Sequence, residues 1–182
     1  MVSYLSWRDI NFIKITKLTF GVFTTYLLSI NAKGWDLFIS HSTKDDSYDV
    51  YIAVSNYMKA QDLNVFNPTV HLTHYNEINV QAMQDAVTKS KLVIAALSDE
   101  FFESDWCKKE IEAAKDNDIK VIPVYSGDDH GSKQIDKWVK KFTNDSPFKY
   151  IFKENARDVL NKQNTSSTDK TLKHLVKLAK KN

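Results

Sequence analysis

The sequence predicts a three-layer α/β fold in which a central parallel sheet is flanked by helices. From Trp35 onward, short apolar runs occur without alternating polar residues, as expected for strands that are covered on both faces. Between these runs lie longer stretches whose apolar residues recur with the period of a helix. Because the two kinds of segment alternate at least four times, a parallel sheet with helices on both faces is the most economical arrangement.

Four apolar runs are predicted to form the strands of this sheet. The run at 119–125 is rich in β-branched side chains, and the run at 63–67 is the shortest. Ligands of parallel sheets bind beyond the carboxyl ends of the strands, so we expect a functional site there. The predicted strands are WDLFIS at 35–40, LNVFN at 63–67, KLVIAALS at 91–98 and IKVIPVY at 119–125.

The predicted helices each carry an apolar stripe that would face the sheet. Ser47 is predicted to be the N-cap of the first helix. The polar segment 161–170 is predicted to be a loop, with Ser167 or Thr168 capping the last helix. The stripe residues are Val50, Val54, Tyr57 and Met58 in the first helix, Ile78, Ala82, Met83, Ala86 and Val87 in the second, Ile111 and Ala114 in the third, and Leu172, Leu175, Val176 and Ala179 in the last.

The chain is predicted to divide into an N-terminal extension or linker, residues 1–34, and one domain, residues 35–182. The apolar run at 17–30 is shorter than the roughly 20 residues that a membrane-spanning helix needs, which disfavours membrane attachment. The single cysteine, Cys107, excludes an intrachain disulfide and suits a reducing compartment, so we expect a cytoplasmic location.

Composition disfavours several classes of function. Lys and Arg total 25 against 23 Asp and Glu, and only two residues are arginine, so nucleic-acid binding is not expected. No glycine lies between Trp35 and Ser126, which leaves no P-loop or dinucleotide-binding glycine motif. No acid or cysteine completes a metal set with His71 and His74, and the acidic pair at 45–46 is interpreted as part of a solvated loop that starts a helix. We expect neither a metal nor a resident cofactor.

Two motifs give the chain a resemblance to a known family. FISHS at 38–42 ends the first predicted strand, and SDWCKKE at 104–110 follows the strand at 91–98. Their order resembles that of the Toll/interleukin-1 receptor (TIR) domain, which implies a flavodoxin-like fold. The second motif is similar to that of TIR domains that cleave NAD+. The loop NPTVHLTHYNE at 67–77 lacks the Arg-Asp and Gly of the corresponding loop in Toll-type adaptors, which counts against that type.

The resemblance implies a role for each of several residues. Breaking the bond between nicotinamide and ribose places positive charge on the ribose, and a fixed carboxylate stabilises that charge. One carboxylate can suffice, because nicotinamide leaves without being protonated. Glu110 is thereby implied as the catalytic residue, and on a helix it lies one turn from Trp106, so the two could line one pocket. The residues implied to bind the substrate NAD+ are Ser40, His41, Ser42, Phe66 and Trp106.

Without the resemblance, the same residues have other interpretations. A glutamate such as Glu110 is more often a solvated acid paired with a lysine, and a tryptophan such as Trp106 often packs in a core. His41 near a strand end is usually structural. Cys107 is interpreted as a small buried residue, because no base is identifiable beside it.

Three functions remain open from the sequence. The leading hypothesis is a TIR-type NAD+ nucleosidase that releases nicotinamide and ADP-ribose or a cyclic isomer. It would be activated by self-association or by other TIR proteins, in immune or cell-death signalling. The alternative is a non-catalytic TIR interaction module that signals by homotypic assembly, with the loop at 68–75 as a main contact. A third is a domain that senses a nucleotide without cleaving it.

Overall fold

The computed structural model describes residues 34–71, 79–144 and 147–181. Its centre is a four-stranded sheet of β1 (Phe38–Ser40), β2 (Val93–Ala96), β3 (Val121–Ser126) and β4 (Arg157–Leu160). The strands are adjacent in that order and every pair is parallel. The predicted parallel sheet flanked by helices is therefore confirmed.

Seven α-helices and one 3-10 helix are formed by the described residues. The helix α1 follows β1, and α4 and α5 follow β2, so each begins at the carboxyl edge of the sheet. Their bounds are α1 Ser47–Lys59, α2 Pro68–His71, α3 Val80–Thr88, α4 Asp99–Glu103, α5 Asp105–Asp116, α6 Ser132–Phe142, the 3-10 helix Phe148–Lys153 and α7 Thr165–Lys181.

A hydrophobic core covers each face of the sheet. Leu37 and Ile39 point into the core formed with α1 and α7, whereas Phe38 points into the core formed with α3, α5 and α6. Strands β1 and β2 are buried along their whole length, on both faces, which explains their continuous apolar runs. The predicted stripe residues that are buried are Val50, Val54, Met58, Ala86, Val87, Ile111, Ala114, Leu172, Leu175, Val176 and Ala179. Tyr57, Ala82 and Met83 are half-buried, and Ile78 lies outside the described residues.

The run at 63–67 does not form the predicted strand. Val65 makes a single parallel bridge with Leu37, and the Asn64 carbonyl accepts from the N–H groups of both Asp36 and Leu37. Pro68 then starts a helical turn three residues after Val65. The run therefore has room for one ladder pair.

Two predicted helix starts are wrong. Ser47 lies inside α1, and the N-cap is Asp46, whose side chain makes no capping hydrogen bond. Helix α7 begins at Thr165, within the segment predicted to be a loop, and the Asn164 side chain accepts from the Ser167 N–H at 3.2 Å. The first turn of α7 has no buried residue, so it carries no apolar period.

Residues 1–33 lie outside the described residues, and the prediction of an N-terminal extension stays a prediction. Within the described part of the chain, no helix has both the length and the apolar character that crossing a membrane requires.

Helix α6 and strand β4 were not predicted from the sequence. In β4 only Val159 is fully buried, so the strand has no continuous apolar run.

Candidate functional site

The end of β1 and the start of α5 bring the two sequence motifs together. Ser40 is the last residue of β1, and Ser104 caps α5 by accepting from the Cys107 N–H at 3.3 Å. Because β1 and β2 are parallel neighbours, the segments that follow them meet at one edge of the sheet.

Glu110 is the acid at the centre of this junction. It lies on the inward stripe of α5 with Cys107, Ile111 and Ala114, and only 4% of its surface is exposed. The Ser40 hydroxyl donates to its Oε2 at 2.6 Å. Burial raises the Glu110 pKa to about 8, and the hydrogen bond from Ser40 works against that rise. A lysine-paired, solvated Glu110 is therefore excluded.

Cys107 lies one turn before Glu110 and is also buried. Burial, and then the charge of Glu110, raise the pKa of its thiol to about 12. Its burial confirms the interpretation of Cys107 as a small buried residue. Because the thiol is protonated at neutral pH, it has no nucleophilic character.

His41 follows Ser40, and two contacts hold its imidazole ring in place. Its Nδ1 lies 3.1 Å from the Ile39 carbonyl, and the ring stacks on Tyr51 at a centroid distance of 4.1 Å. Because a carbonyl only accepts, Nδ1 carries the proton and Nε2 is left as an acceptor. Burial lowers the pKa of His41, so the imidazole is favoured in its neutral form.

Ser42 is held in place by the first residue of α1. The Ser42 N–H donates to Ser47 Oγ at 2.9 Å, and Ser47 Oγ in turn lies 3.0 Å from the Ser42 carbonyl. Asp45 Oδ1 accepts from the Ser47 N–H at 3.1 Å. The loop starts a helix as predicted, but Asp45 and Asp46 are half-buried and are not the solvated acids that the sequence suggests.

A cavity of about 990 Å³ opens beside this junction. Tyr48, Ile52 and Trp106 line it and account for three of the four large hydrophobic residues that are exposed in the described part of the chain. Lys44 and Lys59 add positive charge to its wall, and Glu100, Glu103 and Asp105 add negative charge. A cavity of this volume can hold a small molecule as large as a dinucleotide.

The structure divides the predicted site residues into two groups. His41, Ser42 and Trp106 line the cavity, and Trp106 is 43% exposed, so it is not a core residue. Ser40 and Glu110 are buried and do not line the cavity, so Trp106 and Glu110 do not share one open pocket. Phe66 is buried as well.

Phe66 belongs to the core below the junction. Its ring stacks on Phe38 at a centroid distance of 5.6 Å and meets the edge of Trp35 at 5.2 Å. His71 also stacks on Phe66, and its Nδ1 accepts from the Asn67 N–H at 2.8 Å. His74 lies outside the described residues. Among the residues that the structure describes, no group of three or more His, Cys, Asp and Glu side chains could hold a metal ion.

Sequence reasoning missed the wall of the cavity that α1 provides. Tyr48, Ile52, Ser55, Asn56 and Lys59 recur at helical spacing along one side of α1 and line the cavity. The signal was present, because Tyr48 and Ile52 are large apolar residues that fall outside the buried stripe of Val50, Val54 and Met58.

The chain is similar to proteins of known family and structure. The model of a family described as the TIR domain matches residues 37–152 of the chain. We found no match among curated proteins.

Solved structures share the fold at low sequence identity. The TIR domain of the Toll-related receptor TRR-2 from Hydra magnipapillata has a TM-score of 0.55 at 15% identity, over 79% of this chain and 98% of that chain. A metazoan TIR-STING receptor from C. gigas, solved with 2′,3′-cGAMP, has a TM-score of 0.55 at 15% identity, over 80% of this chain and 39% of that chain. The TIR domains of the activated Roq1 resistosome, which directly recognises the effector XopQ, have a TM-score of 0.52 at 16% identity, over 79% of this chain and 98% of that chain.

Proposed function

We propose that this chain, which belongs to the TIR domain family, is an NAD+ nucleosidase with Glu110 as its catalytic residue. It would release nicotinamide and leave ADP-ribose or a cyclic ADP-ribose isomer. NAD+ is the substrate in this proposal, and no resident cofactor or metal takes part.

The observation that carries the proposal is the hydrogen bond from Ser40 to Glu110. Glu110 is only 4% exposed, and burying a carboxyl group costs free energy unless the group is hydrogen-bonded. Burial raises its pKa to about 8, far above that of an ordinary glutamate. Strongly shifted carboxyl groups beside a cavity are typical of catalytic sites. Here the cavity adjoins the same strand end, through His41 and Ser42.

The chemistry needs one negative charge beside the ribose. As the bond from C1′ to the nicotinamide nitrogen breaks, its electron pair goes to the nitrogen and neutralises the cationic ring. The ribose becomes oxocarbenium-like and is stabilised by the Glu110 carboxylate. Water then adds at C1′ and loses a proton, or an adenine nitrogen adds there to close a ring. The positive charge of bound NAD+ favours the ionised form of Glu110.

The burial of Glu110 supports a role for self-association in activation. Neither Glu110 nor Ser40 lines the cavity, so the reacting ribose would reach the carboxyl group only after the wall between them moves. Contacts with a second copy, or with another TIR protein, would supply the free energy for that movement. We propose that this takes place in the cytoplasm, in immune or cell-death signalling.

Chromatography of NAD+ incubated with the purified chain tests this function. Nicotinamide release should rise more than linearly with protein concentration and should fall to background in Glu110→Ala. Glu112→Ala, which removes a partly exposed acid from the same helix, is the matched control and should keep the activity. Background release by the folded wild-type chain at every concentration would refute the proposal.

A second candidate is a TIR interaction module without turnover. The exposed side chains of Tyr48, Ile52 and Trp106 favour it, because clustered apolar surface is typical of docking sites. In that case Glu110→Ala would leave signalling intact, whereas substitutions at 68–75 would abolish it. Residues 72–75 of this loop lie outside the described residues.

A further inference from the structure

One contact joins the loop after β1 to the loop after β3. Nε2 of His130 lies 2.6 Å from Oδ2 of Asp46. The side chains are 15% and 23% exposed, and neither atom makes a hydrogen bond of good geometry within the described part of the chain, so the two are joined by a close polar contact. Asp46 is also the N-cap residue of α1, yet its side chain makes no capping hydrogen bond and instead contacts His130.

The loop that carries His130 is itself firmly held. The N–H groups of Asp129 and His130 both donate to the Ser126 carbonyl, at 3.3 and 2.9 Å. The hydroxyl of Ser126 donates to the Asp129 side chain. His130 is therefore attached to the last residue of a buried strand and offers Asp46 a fixed partner.

The same contacts extend to the segment after β2. The His130 ring meets Trp138 edge-on at a centroid distance of 4.7 Å, and Trp138 Nε1 donates to Asp99 Oδ1 at 2.7 Å. Gln134 donates to the same oxygen at 3.0 Å. Asp99 is the first residue of α4, which continues into the cavity residues Glu100 and Glu103.

We propose that His130 is a positioning residue that sets the separation of the two cavity walls. One wall is the segment 41–44, two residues before Asp46, and the other is formed by residues of α4 and the start of α5. A continuous series of side-chain contacts joins these walls through Asp46, His130, Trp138 and Asp99. None of these four residues lines the cavity. The kinetic consequence rests on the proposed NAD+ cleavage, whereas the structural consequence does not.

Hydrogen exchange without any nucleotide tests the structural part. In His130→Gln and in Asp46→Asn, amide exchange at 41–48 should rise by about tenfold, because the contact that joins the two loops is lost, while exchange in β2 and β3 stays unchanged. The reversed pair, Asp46→His with His130→Asp, should restore much of the protection. His174→Gln, on the exposed face of α7, is the control and should have no effect.

Three outcomes would overturn the proposal: unchanged exchange at 41–48, an equal rise in every strand, or no rescue by the reversed pair. The kinetic part is tested with NAD+ on the same variants, where KM should rise several-fold with kcat nearly constant and the reversed pair should recover KM. A fall in kcat alone would overturn the positioning role. If the wild-type chain cleaves no NAD+, the proposed function fails, and the exchange result still decides the role of His130.

Discussion

The hydroxyl of Ser40 donates to Oε2 of Glu110 at 2.6 Å, joining the end of β1 to the middle of α5. The two residues are 70 positions apart in sequence. The contact gives a buried carboxyl oxygen a hydrogen-bond donor and fixes the side chain of Glu110 at the junction of the two sequence motifs.

Glu110→Gln should make the chain more stable near neutral pH. The folded pKa of about 8 lies above the unfolded value of 4.5, so the folded state holds this proton more tightly. The resulting stability is fully present below pH 4.5 and is lost as the pH rises towards 8. Glutamine avoids this loss, and we expect a gain of about 1–3 kcal/mol at pH 7.5.

Urea denaturation of Glu110→Gln and of the wild type at pH 5, 6, 7 and 8 measures this difference. The free-energy difference between the two should grow with pH over this interval. A difference that is constant with pH would show that Glu110 titrates at an ordinary value in the folded protein.

Ser40→Ala should destabilise the chain by about 1–3 kcal/mol, because it leaves a buried carboxyl oxygen without its donor. The same substitution in a Glu110→Ala background should cost much less, since no carboxyl group is then present. Chemical denaturation of the four proteins gives the coupling free energy. Equal costs in both backgrounds would mean that Ser40 acts through packing alone.

Trp106 and Trp138 should respond differently to substitution by alanine. Trp138 is 2% exposed, and its loss should cost about 3–5 kcal/mol of stability. Trp106 lines the cavity and is 43% exposed, so Trp106→Ala should change stability by less than about 1 kcal/mol and should weaken NAD+ binding. Thermal unfolding and calorimetry separate these effects, and a large loss of stability in Trp106→Ala would place this side chain in the core.

Cys107 should resist alkylation in the folded protein. Its pKa of about 12 leaves almost no thiolate at pH 8, and its side chain is buried. Iodoacetamide labelling followed by mass spectrometry should show modification only at urea concentrations that unfold the chain. Rapid labelling of the native protein at pH 8 would contradict the buried position.

The fold could be predicted where burial leaves a pattern in the sequence. The runs that became β1, β2 and β3 are covered on both faces and are therefore continuously apolar. The start of α7 left no such pattern, because its first turn is not buried and its cap, Asn164, lies within a polar segment. The apolar run around Val65 shows the opposite case, in which the sequence predicts a strand that does not form. Pro68 starts a helical turn, and only a single bridge between Val65 and Leu37 precedes it.

Of the residues predicted for the site, His41, Ser42 and Trp106 line the cavity, whereas the sequence did not predict that Glu110 is buried apart from it. The spacing of Cys107, Glu110, Ile111 and Ala114 places Glu110 on the inward stripe of α5, so its burial was readable from the sequence. Its partner Ser40 depends on a contact between distant segments, which only the fold brings together. The same holds for Asp46 and His130, which follow different strands and show no local signal.

Nicotinamide release from NAD+ should be compared between the wild-type chain and Glu110→Gln at one high protein concentration, because the two proteins differ only in the carboxyl group of residue 110. Glutamine keeps the size of the side chain and removes the charge, so we expect clear release by the wild type and a loss of at least about a hundredfold in the variant. Equal release by the two folded proteins would contradict the assignment of Glu110 as the catalytic residue.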